Sequence, residues 1–186
     1  TDTRWQQLHM DRVPAWQTDG RAIVLCPNSS IYMRQYAGMD VWQWIADVIT
    51  AIRRCSDRDI VLRWKTDAKT RPLRVDLVDA WMVVVFSSAA AVEAIAAGVP
   101  VCTLAPWAST APMGITDLSQ IETPHYPDME ERDNFLFQLA DQQWTLDEIR
   151  QGRAWKSLGE AAACLLPFGS GGTHQKLWRR PWRPSR

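Results

Sequence analysis

The chain has 186 residues, 46% of them hydrophobic, and its 21 basic residues balance 21 acidic ones. That is enough for one domain with a sizeable core, or for a domain and a small appendage. It has no apolar run long enough to span a membrane and no basic, apolar leader, so a cytoplasmic protein is expected. Cys26, Cys55, Cys102 and Cys164 are far apart, with no histidine at ligand spacing. Buried free thiols in a reducing compartment are expected, and no metal site. Eleven tryptophans are spread along the chain as core or interface anchors, a minority of them stacking on a ligand.

Residues 1–20 have weak periodicity, and Trp5, Leu8, Val13 and Trp16 suit a short helix or a strap. Arg21 to Cys26 reads as a strand, followed by the polar loop Pro27-Asn28-Ser29-Ser30. Asp40 caps a helix over 40–55, whose apolar residues Val41, Trp44, Ile45, Val48 and Ile52 recur at helical spacing. Ile60 to Trp64 is a second strand with Lys65 at its end; Thr66 to Pro72 is a polar loop, and Leu73 to Ala80 a short helix. Met82 to Phe86 is a β-branched and aromatic run, short enough for a strand buried on both faces. Ser87 and Ser88 end it and cap a helix over Ala89 to Ala97, which Gly98 and Pro100 terminate. Val99 to Leu104 is the fourth strand, and Ala105 to Gly114 an irregular loop. A short helix is expected over Ile115 to Ile121, then a proline-containing loop, then a helix over Met129 to Gln143. Thr145 and Glu148 form a capping box for one further helix, 146 to about 165. Gly169 to Gly172 reads as a hinge before a tail without periodicity.

Strands alternating with helices predict a Rossmann-like open, mainly parallel α/β sheet with a C-terminal helical layer. Three regions are expected: an N-terminal strap, 1–20; the α/β domain, 21–167; and a flexible basic tail, 168–186. Lys176, Arg179, Arg180, Arg183 and Arg186 occur in that tail without an acid, which leaves the rest of the chain acidic overall. Such a tail suits an anionic partner such as DNA.

In this architecture ligands sit beyond the carboxyl ends of the strands. The residues just past the four strands are Asn28, Ser29 and Ser30; Arg63, Lys65 and Lys69; Ser87, Ser88 and then Glu93; and Trp107, Ser109 and Thr110. Cations, hydroxyls and a helix N-terminus suit a diphosphate, and a single carboxylate suits the two hydroxyls of a ribose. Each residue also has a plain structural explanation: a charge at a strand end, a helix cap, a solvent-facing glutamate. The conjunction at one sheet edge is more specific than its members. There is no glycine-rich dinucleotide fingerprint, Walker loop, serine nucleophile elbow or paired-histidine metal motif.

The run Glu93-Ala94-Ile95-Ala96-Ala97-Gly98-Val99-Pro100-Val101 resembles the Glu-Ala…Gly-x-Pro-Val signature in the donor-binding half of GT-B fold glycosyltransferases. The resemblance spans roughly residues 21–160. A longer pattern, from Arg63-Trp64-Lys65 to Gln143-Trp144-Thr145-Leu146, also resembles small bacteriophage proteins that look like glycosyltransferases, some acting on modified DNA bases. The resemblance implies that Glu93 binds the ribose of a nucleotide-sugar donor, a UDP-sugar. It also implies that Arg63 and Lys65 bind the diphosphate, with Ser87 and Ser88 beside it.

The chain departs from the family in two ways. The family's acidic partner two turns before Glu93 would fall at Val85 or Phe86, and neither is acidic. Residues 1–20 are too few for the family's acceptor-binding domain, so either the acceptor half is missing from this chain, or a second subunit or the DNA itself completes the cleft; a homo-oligomer is a further expected partner state. Asp117 and His125 are the candidate catalytic residues for an acceptor hydroxyl. The expected function is glycosyl transfer from a nucleotide-sugar, with hydroxymethylated phage DNA bases as acceptor. The alternatives are a non-catalytic nucleotide- or DNA-binding module, and a subunit of a capsule or cell-wall glycosyltransferase.

Overall fold

The protein, seen in a computed structural model, is described for residues 2–8 and 13–165. It divides into two compact units, residues 1–142 and 143–186. The first unit thus ends before residue 167, the expected limit of the α/β domain. The tail cations Lys176, Arg179, Arg180, Arg183 and Arg186 lie outside the described residues.

Four strands, β1 (Ala22–Cys26), β2 (Asp59–Leu62), β3 (Ala80–Val85) and β4 (Val101–Thr103), form one open sheet in the order β2-β1-β3-β4. Every pairing is parallel. This is the Rossmann-like α/β architecture expected from the alternation of strands and helices. The central strands are apolar without interruption because both faces are covered. Ile23, Val24, Leu25, Val83, Val84 and Val85 are completely buried.

Past β1 comes the short helix α2 (Ser30–Tyr32), and on one face helix α3 (Val41–Arg53) lays Trp44, Ile45, Val48 and Ile52 over Ile23, Leu25, Met82 and Val84. Its apolar stripe recurs at helical spacing, and the Asp40 carboxylate accepts from the N–H groups of Trp42 and Gln43 at 2.9 and 3.0 Å. The other face presents Val24, Cys26, Val83 and Val85. It is covered by α1 (Asp2–Gln7), α4 (Leu73–Leu77), α5 (Ala90–Ala96) and α6 (Met129–Asp141). Successive strand residues point to opposite faces, which is how one apolar run serves both layers. The connection leaving β1 therefore lies on one face and the connection leaving β3 on the other. Between these two strands the strand order reverses, a topological switch point.

Several local expectations are corrected. Ala80 belongs to β3 rather than to the preceding helix, because it pairs with Ala22. The second strand ends at Leu62, and Lys65–Lys69 is a 3₁₀ turn rather than open loop. The expected helix over 115–121 is instead an isolated bridge at Ile115 and a 3₁₀ turn, Leu118–Gln120. Ile115 donates to the Val101 carbonyl at 3.0 Å and accepts from Thr103 at 2.9 Å, so pairing with β4 overrides helix formation. The loop can come this close because Gly114 has no side chain; a Cβ there would stand 2.1 Å from the Val101 oxygen.

Residues of the N-terminal segment close the amino edge of the sheet. Gln17 donates to the Gly98 carbonyl at 2.7 Å, and the Trp16 indole donates to the Pro127 carbonyl at 2.7 Å. The second unit holds α7 (Leu146–Arg150) and α8 (Arg153–Leu165). The Thr145–Glu148 capping box forms as expected. The single helix expected over 146–165 is broken, since Gly152 takes φ 74° and ends the first piece. Among the described residues no helix is long and apolar enough to cross a membrane. Cys26 and Cys102 are buried free thiols, whereas Cys55 is exposed; the Cys164 side chain lies outside the described residues.

Candidate functional site

All four strands end at one edge, and a cavity of about 530 Å³ opens there, beyond β1, β2 and β3. It therefore sits at the switch point, where the divergence of the two crossover connections leaves the strand ends uncovered. Asn28, Ser29, Arg63, Lys65, Ser87, Ser88 and Glu93 all line it. These seven come after strands in the sequence, and parallel pairing, which puts every strand's C-terminus on the same side, brings them together.

Their chemistry differs from residue to residue. The Asn28 side chain spans the β1 and β3 loops: its Oδ1 accepts from the Ser87 N–H at 3.1 Å, and its Nδ2 donates to Ser87 Oγ at 3.3 Å. Ser87 Oγ in turn donates to the Tyr32 hydroxyl at 3.0 Å. The Ser87 hydroxyl thus spends its proton inside this bridge, which makes it a brace. The Tyr32 hydroxyl accepts from Ser87 and keeps its own proton to offer. Tyr32 also lines the cavity. Ser29 accepts from Tyr32 N–H at 3.2 Å, and Ser88 accepts from Ala90 N–H at 3.3 Å, so each of these hydroxyls also retains a proton.

The two cations are not equivalent. The Arg63 side chain is only 7% exposed and is held by the buried Asp76 carboxylate. It also donates to the Arg71 carbonyl at 2.5 Å. Arg71, more than half exposed, reaches the other Asp76 oxygen at 2.5 Å. One carboxylate thus joins two guanidinium groups and fixes the wall from Lys65 to Leu73. Lys65 is exposed and has no carboxylate partner among the described residues. It is the cation open to an anionic ligand. Lys69 follows in the same turn, and its side chain lies outside the described residues.

Glu93 projects from α5, which buries Ala91, Ala94 and Ile95 against the sheet. The Glu93 carboxylate is exposed at the cavity and has no hydrogen-bond or ion-pair partner among the described residues. Helix α5 is only seven residues long, Ala90–Ala96, so its dipole adds little to anion binding. Hydroxyl protons and the Lys65 ammonium are the other donors at this cavity.

The other candidates do not line the cavity. Trp107 is 64% exposed and packs edge-on against Phe86, ring centres 6.0 Å apart. Asp117 caps the 3₁₀ turn, accepting from Ser119 N–H at 2.9 Å, and this bond holds its pKa below the usual carboxylate value. His125 is an exposed residue at the opposite edge of the sheet. Its neighbour Glu122 binds Arg58, which donates to the Gly20 carbonyl before β1, and Pro127 accepts from Trp16. Neither Asp117 nor His125 is among the residues that line the cavity.

Sequence reasoning missed Tyr32, Trp64 and Asp76. Trp64 comes just after β2, lines the cavity and tilts against Trp42 at 5.0 Å. Its position past a strand end was the available signal. Tyr32 acts through Ser87, 55 residues along the chain, and Asp76 through its ion pairs to Arg63 and Arg71; neither contact has a sequence signal. Among the described residues no cluster of histidine, cysteine or carboxylate side chains is arranged to hold a metal ion.

No family model, curated protein or solved structure matches this chain. What the protein does is read from the cleft itself.

Proposed function

We propose that the cleft binds the nucleoside diphosphate portion of a nucleotide-sugar, and that the protein transfers the sugar to an acceptor hydroxyl. The observation that carries this reading is the meeting, in one switch-point cavity, of the Lys65 ammonium and the Glu93 carboxylate, neither of which has an ion-pair partner among the described residues. A diphosphate takes the cation and the hydroxyl protons of Tyr32, Ser29 and Ser88. A ribose offers two hydroxyl donors to Glu93. In the transfer the acceptor hydroxyl oxygen bonds to the anomeric carbon and gives up its proton to solvent, while the bond from that carbon to the diphosphate oxygen breaks and negative charge builds on the leaving diphosphate. Lys65 and the hydroxyl donors stabilise it in place. Arg63 acts from behind, holding the wall that carries Lys65.

The test is calorimetry with UDP and a UDP-sugar. UDP is expected to bind, and Glu93→Gln to weaken it at least tenfold, as loss of hydrogen bonds to a charged acceptor does. Absence of binding by UDP and other nucleoside diphosphates would sink the reading. Mass spectrometry of hydroxymethylated DNA incubated with UDP-sugars then tests the acceptor.

A second reading is a module that holds the nucleotide without turning it over. It is favoured by the lining of the cavity, where, among the described residues, Glu93 is the one carboxylate and no histidine occurs. Tight UDP binding with neither transfer nor slow hydrolysis of the donor would select it.

A further inference from the structure

The exposed aromatic side chains of the first unit, Tyr36, Trp42 and Trp107, are 75%, 63% and 64% exposed. All three belong to segments that come after a strand's carboxyl end, and each leans on an inner aromatic ring. Tyr36 tilts on Tyr32 at 5.2 Å, Trp42 on Trp64 at 5.0 Å, and Trp107 stands edge-on to Phe86 at 6.0 Å. Tyr32 and Trp64 are walls of the cavity, and Phe86 immediately precedes its Ser87. The outer rings thus form a rim around the cleft. Large rings left in water are costly, and here the inner rings hold them in place before any partner arrives.

The charge of the same loops limits what the partner is. Segments 27–40 and 63–74 contain Arg34, Arg63, Lys65, Lys69, Arg71 and Arg74 against Asp40 and Asp67, on a chain of zero net charge. Asp76 offsets one of these cations. Both acids in the segments are committed to backbone N–H groups, Asp40 to Trp42 and Gln43, Asp67 to Trp64. Aromatic faces set among excess cations suit a flexible polyanion with flat, unstacked rings, and a neutral glycan makes no use of the cations.

We infer that this rim binds single-stranded nucleic acid, with unpaired bases stacking on Trp42, Tyr36 and Trp107 and phosphates near Arg34, Lys65 and Arg74. A duplex keeps its bases stacked on one another and cannot use the rings. The binding does not depend on the donor reading. That the strand is the acceptor, presenting an unstacked base to the cleft, does rest on it.

The test is fluorescence anisotropy of the full chain with a labelled 15-mer of thymidine, the same sequence in a duplex, a neutral oligosaccharide and inorganic polyphosphate as competitors. The single strand is expected to bind about tenfold tighter than the duplex. Trp42→Ala with Trp107→Ala is expected to remove that preference, as loss of one or two stacked bases does. These residues are exposed, so the variants keep the fold, which circular dichroism checks. Replacing the basic residues of 176–186 by alanine is expected to weaken both nucleic acids alike and leave their ratio unchanged. Equal binding of strand and duplex by the wild type overturns the inference. So does a ratio unaltered in the aromatic variant, displacement by polyphosphate as effective as by the strand, or displacement by the oligosaccharide. UDP calorimetry on the same samples reports on the donor site separately.

Discussion

At the amino edge of the sheet Arg21 is paired with Asp79 at 2.7 Å, and Arg58 with Glu122 at 3.0 Å. At the carboxyl edge Lys65 and Glu93 have no such partner among the described residues. The amino edge is also sealed by rings and carbonyls. The Arg58 guanidinium lies 3.7 Å over Trp81 and donates to the Gly20 carbonyl at 2.9 Å. Arg132 stacks on Trp16 at 4.3 Å, and burial pushes its pKa below the ordinary guanidinium value. The carboxyl edge has exposed tryptophans and hydroxyl protons not yet used. One edge is spent on stability and the other is left available. The same kinds of residue serve both, and whether their partners come from the chain or from outside makes the difference.

The comparison can be broken most severely at the buried Arg63–Asp76 ion pair beside the cleft. Asp76→Ala strands the Arg63 guanidinium without a counter-charge and is expected to cost about 3–5 kcal/mol in urea unfolding. A loss near that of an exposed pair would mean that Arg63 turns out into the cavity. Next, Gly20→Ala at the amino edge places a Cβ 2.1 Å from the Ala80 carbonyl oxygen. Overpacking against backbone is expected to cost about 3 kcal/mol and to leave UDP affinity unchanged, provided that the assay is run below the lowered melting temperature.

The buried thiols give a pH-dependent test of the core below both edges. Burial pushes Cys26 and Cys102 up to about 12 from an ordinary 9.0. The folded thiols stay protonated while the unfolded ones ionise. Their contribution is therefore complete below pH 9 and is lost as the pH rises towards 12. Each thiol is expected to remove about 1.4 kcal/mol per pH unit in that window. Cys26→Ala should flatten the alkaline slope, and an unchanged slope would assign the loss to other groups.

Smaller still, Arg58→Ala is expected to lower stability by about 1–2 kcal/mol through its ring and carbonyl contacts. It should leave the cleft unaffected. Smallest for the fold is Glu93→Gln, expected within about 0.5 kcal/mol because the carboxylate is exposed and unpartnered. Its effect should appear in nucleotide affinity alone. Coupled losses of stability and affinity in this variant would make Glu93 a structural residue and erase the contrast between the edges.

Much of this contrast was legible in advance. Asn28, Ser29, Lys65, Ser87, Ser88 and Glu93 all come soon after an apolar run that reads as a strand. That placement is informative because a parallel sheet puts all such residues at one edge. Asp40 and Thr145 announced their helices because a cap acts on N–H groups two or three residues away. The single helix expected over 146–165 failed at Gly152, where a local residue choice outweighed the longer pattern. The helix expected over 115–121 failed because Ile115 found a strand to pair with.

The sequence alone determined the alternation of strands and helices, the parallel sheet, and the set of side chains at its carboxyl edge. These depend on periodicity, caps and turns, which act over a few residues. The tertiary structure alone decided which of those side chains remain available. Arg63 is neutralised by Asp76, Ser87 is spent on Asn28 and Tyr32, and His125 is carried to the far edge. Only folding brings such distant partners within hydrogen-bond range, so the sequence names the groups and the fold determines which of them are free to bind.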